Sequence, residues 1–134
     1  MYGEVGVEAN AEEIVQMIDS FPKEKPILVR INSLGGFVHD GLAIYAALKQ
    51  RGNVITRIDG IAASAASVIA MAGDEIVMSP VSMMMIHNPA TVIFGEASDL
   101  QDGIKLLSEV KESIINAYEQ RTGLPRNKIS NMMD

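Results

Sequence analysis

Three short segments of this sequence carry residue types that could act on a carbonyl group. The first is Gly60-Ile61-Ala62-Ala63-Ser64-Ala65-Ala66-Ser67. A β-rich run, a glycine and a small-residue stretch predict a strand turning into a helix, with Ser64 at the helix start. Unpaired backbone N–H groups gather at such a start. There they can receive the oxyanion that forms when a hydroxyl attacks a carbonyl. A structural reading competes with this one. Ala/Ser helices pack closely on sheets, and Ser64 would then be only an N-cap.

The second segment is Met83-Met84-Met85-Ile86-His87-Asn88-Pro89. His87 ends an apolar run just before an Asn-Pro turn, which puts it at a sheet edge rather than in the core. A lone histidine is more often a surface or satisfied structural residue. The other histidine, His39, lies near the start of a predicted helix. Two histidines and no cysteine do not make a zinc site, so neither a metal nor another cofactor is expected. The third segment is Asn32-Ser33-Leu34-Gly35-Gly36. Paired glycines let two backbones approach closely and expose N–H groups, as an oxyanion donor, a ledge for an extended peptide, or simply a tight turn. No third glycine follows at the spacing of a nucleotide-binding loop.

The elements that would position these segments alternate. Val5 and Val7 suggest a short opening strand. Asn10 and Glu13 form a capping-box pattern ahead of Ile14, Met17 and Ile18 at helical spacing. Ile27 to Ile31 and Val54 to Ile58 read as strands. Between them runs a helix that Asp40 could cap and Gly52 ends. Gly60 is expected to open the turn into the small-residue helix. Glu75 to Met78 and Met83 to Ile86 follow as strands. Ser98 and Gln101 form a second capping-box pattern before a long helix that Gly123 stops, and Pro125 begins a last helical turn. Strands alternating with helices indicate one α/β domain over 1–134. Ile129, Met132 and Met133 form an apolar set with nothing after them, so the domain is expected to lack its last elements.

Bulk properties exclude several functions. The chain has 134 residues, a formal net charge of −6 and only 11 Lys plus Arg, which are scattered. No basic stripe could neutralise a row of phosphates, so nucleic acid is not an expected partner. No apolar run reaches the ~18–20 residues that span a bilayer, and no signal-peptide pattern opens the chain. A cytoplasmic protein is the expectation.

Taken in order, the three segments resemble the "NSPGG", "GxAAS" and "MIHxP" motifs of the Clp protease proteolytic subunit family. The likeness continues through Gly95-Glu96-Ala97-Ser98-Asp99, the long helix and Arg121-Thr122-Gly123. Asp59-Gly60-Ile61-Ala62-Ala63-Ser64 and Met71-Ala72-Gly73-Asp74-Glu75 are closer to the head-maturation proteases of phages and prophages. The resemblance implies a spiral of βαβ units, shared with crotonases, with a protruding long-helix handle that interlocks subunits into homo-oligomeric rings. It implies a serine endopeptidase of unfolded or phage structural polypeptides. Ser64 would be the nucleophile and His87 the base that takes its proton and returns it to the leaving amine. Gly35 and Ala65 would give the backbone oxyanion hole, and Gly36, Phe37 and Val38 would pair with substrate as an added strand.

Two departures from the family pattern stand out. Leu34 occupies the place of the family's proline, which loosens the turn before Gly35. The family's triad aspartate falls two positions past Asp134, so either Asp134 substitutes after a local shift or the orienting carboxylate is absent. The chain also starts at the first strand, with no room for the axial loop used with an ATPase partner. The missing acid leaves open a weakly active or inactive assembly protein on the same fold. A crotonase-type acyl-CoA enzyme is the other alternative. A membrane peptidase with a Ser–Lys dyad is disfavoured by His87 and by the lack of an anchor.

Overall fold

The computed structural model describes residues 1–134. The chain forms two compact units, Met1–Ile86 and His87–Asp134.

The first unit is built on a four-stranded parallel sheet. Its elements are α1 (Ala11–Ser20), β1 (Ile27–Ser33), α2 (Val38–Arg51), β2 (Val54–Ala63), α3 (Ala65–Ala70), β3 (Glu75–Met78) and β4 (Met83–Met85). β2 is the organiser. Along one edge it pairs in parallel with β1. Its first half also pairs with β3 and its second half with β4. Parallel neighbours need crossover connections, and α2 and α3 supply them between β1, β2 and β3. Ile31, Ile44, Leu48, Val54, Ile58, Val68 and Ile69 are fully buried and form the core between strands and helices. Polar Thr56 shares it with Ser33 and Ser67; Thr56 donates its hydroxyl to the Ala70 carbonyl at 2.8 Å, which satisfies a group that burial would otherwise penalise.

β2 runs further than its sequence suggests. Register is regular from Ile27↔Val54 to Ile31↔Ile58 and resumes at Ser33↔Ala62. Asp59, Gly60 and Ile61 therefore stand opposite the single residue Asn32, a bulge in β2. The Asn32 side-chain carbonyl fills the gap and accepts the Ile61 N–H at 3.2 Å. A β-carbon on Gly60 would lie 2.5 Å from that oxygen, so a glycine is required. Gly60 thus serves the bulge inside the strand, and the turn it was expected to open comes four residues later, at Ser64. Asp59 is pinned at the bulge by Tyr2 Oη (2.5 Å), Arg30 Nε (2.8 Å) and Arg57 Nε (3.2 Å). The Tyr2 hydrogen bond, helped by the arginines, holds its carboxyl below the usual carboxylate range.

Two other local expectations shift. Val5 makes only isolated bridges, to Ala9 and Gly36, and no opening strand forms. α2 starts at Val38, ahead of Asp40, with Phe37 as its N-cap and no side-chain cap. Asn10 does cap α1, accepting the Glu13 N–H at 3.1 Å, and Gly52 ends α2.

The second unit contains α4 (Ala97–Thr122) and α5 (Arg126–Met133). The capping box of α4 is made by Glu96 and Asp99, not by Ser98 and Gln101. Gly123 ends the helix in the left-handed conformation, φ 68°, as predicted from its residue type. α4 divides along its length. Val110, Ile114, Ile115, Ala117 and Tyr118 are buried, whereas Leu100, Ile104 and Leu106 are exposed. Arg126 ties α5 to α4 through Glu112 and Glu119. Ile129 and Met133 are buried and only Met132 is exposed, so most of the apolar set at the end of the sequence is covered within the chain. The parallel sheet and long helix agree with the α/β class read from the sequence.

Candidate active site

Ser64 sits where β2 turns sharply into α3. Its backbone is at φ 54°, ψ −128°, a region a non-glycine residue enters at a cost of about 1–3 kcal/mol. Surrounding bonds hold it there. The Ser64 N–H donates to the Met85 carbonyl on β4 at 2.9 Å. The Ser64 carbonyl accepts both the Ser67 N–H (2.9 Å) and the Ser67 hydroxyl (2.5 Å). Ser64 makes no side-chain cap for α3, so the simple N-cap reading does not describe it. Its half-buried position leaves the residue reachable.

The small residues around it serve close packing. Every residue of α3 is buried, and a β-carbon on Gly41 of α2 would touch that of Ala65 at 3.0 Å. A larger residue at either position would push α3 off α2 and move Ser64 with it.

The Asn32–Gly36 segment comes directly alongside. A β-carbon built on Gly35 would lie 2.6 Å from the Ser64 β-carbon, 2.8 Å from the Ala63 carbonyl and 3.1 Å from the Ala65 nitrogen. Only a glycine fits, and its φ of 104° is itself glycine territory. The structure therefore brings together Ser64, Gly35 and Ala65, the predicted nucleophile and oxyanion donors. Ala65 opens α3, so its N–H has no acceptor within the helix. The Gly35 N–H donates to the hydroxyl of buried Ser33 at 3.1 Å.

Much of the backbone expected to pair with substrate, at Gly36, Phe37 and Val38, is already engaged within the chain. Val5 brackets this segment on one side: its N–H donates to the Gly35 carbonyl (2.8 Å) and its carbonyl accepts the Phe37 N–H (2.9 Å). The Phe37 carbonyl accepts the Gly41 N–H, and Val38 is already helical. None of these bonds uses the Gly36 main chain, and the Phe37 side chain is exposed. Asn32, Ser33, Leu34, Gly35, Gly36 and Ile61 line a depression of about 480 Å³ beside it.

In the second unit, His87 is exposed at the start of the segment that leads to α4. The next residue, Asn88, is anchored to the end of α5. Its backbone N–H donates to the Met133 carbonyl (3.0 Å) and its side-chain amide to Asp134 Oδ1 (2.7 Å). Lys111 also reaches Asp134 Oδ1 at 3.3 Å. The Asn88 amide, then Lys111, hold the Asp134 carboxyl below its ordinary range. Asp134 is thus committed to fixing the residue after His87. Sequence reasoning missed Ser33, Asn88 and Lys111. The Ser–x–Gly spacing of Ser33 and Gly35 was a usable signal for the first; the other two meet across residues far apart in the chain.

No three His, Cys, Asp or Glu side chains cluster in a way that could hold a metal ion. No helix is long and apolar enough to cross a membrane.

Comparison with known proteins gives a consistent picture. The family model described as Clp protease matches residues 2–134. The ATP-dependent Clp protease proteolytic subunit of Deinococcus radiodurans is 33% identical over 121 residues, covering 88% of this chain and 59% of the relative. Subunit 1 from Gloeobacter violaceus is 36% identical over 120 residues, covering 87% and 61%. Subunit 1 from Chlamydia caviae is 34% identical over 115 residues, covering 82% and 60%. The chain therefore spans about three fifths of the length of these relatives.

Proposed function

The chain belongs to the Clp protease family, and from that premise we propose that it is the nucleophile-bearing part of a serine endopeptidase. One observation carries the reading: Ser64 is held in a strained strand-to-helix turn with the Gly35 and Ala65 backbones packed against it. That arrangement suits attack on a peptide carbonyl, with main-chain amides receiving the charge that develops on its oxygen. His87 is the general base. The Ser64 N–H is bonded to Met85, two residues ahead of His87 in the chain, which supports the pairing. His87 takes the hydroxyl proton as the acyl-enzyme forms and delivers it to the leaving amine; water then hydrolyses the ester by the same route.

Asp134 is the least suited member of the predicted triad, because its carboxylate already carries Asn88 and Lys111. We assign it to holding the His87 segment, and expect the full-length protein to supply an acid shortly after it.

The substrate is an unfolded polypeptide laid as a strand along Gly36, and the phage-type resemblance makes a capsid precursor the first candidate. The protein works in the cytoplasm as a homo-oligomeric ring. The exposed Val92, Phe94, Ile104 and Leu106 of the second unit supply the apolar surface for subunit contact, and an ATPase partner is not required by this reading.

The test is a fluorophosphonate probe applied to the full-length protein, followed by peptide mapping. Labelling should fall on Ser64 and vanish in Ser64→Ala and, largely, in His87→Ala. Absence of labelling, with casein and a capsid precursor both left intact by assembled rings, would favour the assembly-protein alternative.

A further inference from the structure

We infer that Ser33 is a positioning residue whose hydroxyl anchors the Gly35 amide, the proposed oxyanion donor, until substrate arrives; this rests on the peptidase reading above. Ser33 is only 3% exposed and ends β1 in register with Ala62 of β2. Its side chain is therefore fixed by the same sheet that fixes Ser64. From there its Oγ accepts the Gly35 N–H at 3.1 Å.

The Leu34–Gly35 peptide needs such an anchor. Leu34 is 76% exposed, so its side chain contributes little burial to set its backbone. Gly35 has no side chain and a φ open to many values. The Gly35 carbonyl is held by Val5, but that bond fixes the peptide after Gly35, not the one that carries its N–H. The Ser33 hydroxyl is the group that fixes the latter.

The bond also has the right strength for the task. A neutral hydroxyl satisfies the amide while no substrate is present, avoiding an unpaired buried donor. An oxyanion is the stronger acceptor, since charge-assisted bonds are roughly twice as strong. The amide can therefore exchange Ser33 for the tetrahedral intermediate as its acceptor. Ser33 never touches the reacting atoms; it acts through Gly35.

The experiment uses ¹⁵N-labelled full-length protein with Ser33→Ala, alone and combined with Leu34→Pro. Removing the hydroxyl should lower kcat about tenfold, the scale of one modest hydrogen bond, with KM nearly unchanged. Affinity for a peptide boronate, which mimics the tetrahedral intermediate, should fall in parallel. Hydrogen exchange at the Gly35 amide should accelerate, and Leu34→Pro, by stiffening the same turn, should recover part of kcat. An unchanged kcat, or a Gly35 amide whose exchange does not respond to Ser33→Ala, would overturn the assignment. If the unmodified protein neither cleaves nor labels, the peptidase reading fails separately, and the Gly35 exchange still decides whether Ser33 holds that amide.

Discussion

Gly35 stands so close to Ser64 that a methyl group on the glycine would lie 2.6 Å from the serine β-carbon. Two segments remote in sequence are thereby locked into one surface. Gly35→Ala should displace either the turn or the serine. We expect the rate of fluorophosphonate labelling at Ser64 to fall by about 10²–10³, the effect of losing one oxyanion donor, with helical circular dichroism retained. Labelling at the unmodified rate would show that the close approach has no catalytic meaning.

The backbone of Ser64 makes a different prediction, about stability. Ser64→Ala keeps a β-carbon at φ 54° and so keeps the strain, whereas Ser64→Gly relieves it. The glycine variant should be more stable than the alanine variant by about 1 kcal/mol, less whatever the unfolded chain gains in freedom. Urea midpoints of the two inactive proteins measure this. A glycine variant less stable than the alanine variant would mean that the turn is unstrained.

Acid stability should report on Asp59. Its carboxyl is lowered by Tyr2, Arg30 and Arg57. The stability this contributes is fully present above the ordinary carboxylate value, near ~3.9, and is lost as pH falls through the lower folded-state value. Asp59→Asn should therefore melt earlier at neutral pH and lose less on acidification below about pH 4. Thermal midpoints over that range test it; parallel curves for the two proteins would exclude a role for this carboxylate.

Asp134 separates two roles by magnitude. A triad acid, when removed, costs about 10⁴ in turnover. If Asp134 anchors Asn88, as its geometry indicates, Asp134→Ala in the full-length protein should cost about tenfold, the scale of one hydrogen bond. Lys111→Met should produce a smaller loss of the same kind. A 10⁴-fold loss in kcat/KM for Asp134→Ala would restore it to the triad.

The closeness of Gly35, Ser64 and Ala65 was legible in the sequence because it depends on residue types with few uses. Glycine pairs, a serine flanked by alanines and a histidine before Asn-Pro each limit the local backbone, and the structure places Gly35, Ser64 and Ala65 together. What could not be read depends on pairing across distance. The bulge at Asp59–Ile61 exists because Asn32, on another strand, fills it, so Gly60 looked like a turn residue. Val5 occupies one side of Gly35 and Phe37 through single bridges that carry no alternating pattern. The α4 cap moved to Glu96 and Asp99 because an acidic side chain met the open amides as well as serine would have done.

The bulge also constrains how this strand can change over evolutionary time. Side chains on a strand alternate between faces, so losing one residue there would swap the facing of all that follow. Ala62 and Ala63, both buried, would exchange faces with each other, and Ser64 would leave the turn aimed away from Gly35. Insertions and deletions elsewhere in the surface loops change lengths; at Asp59–Ile61 they would change parity, and with it which side of the sheet holds the hydroxyl.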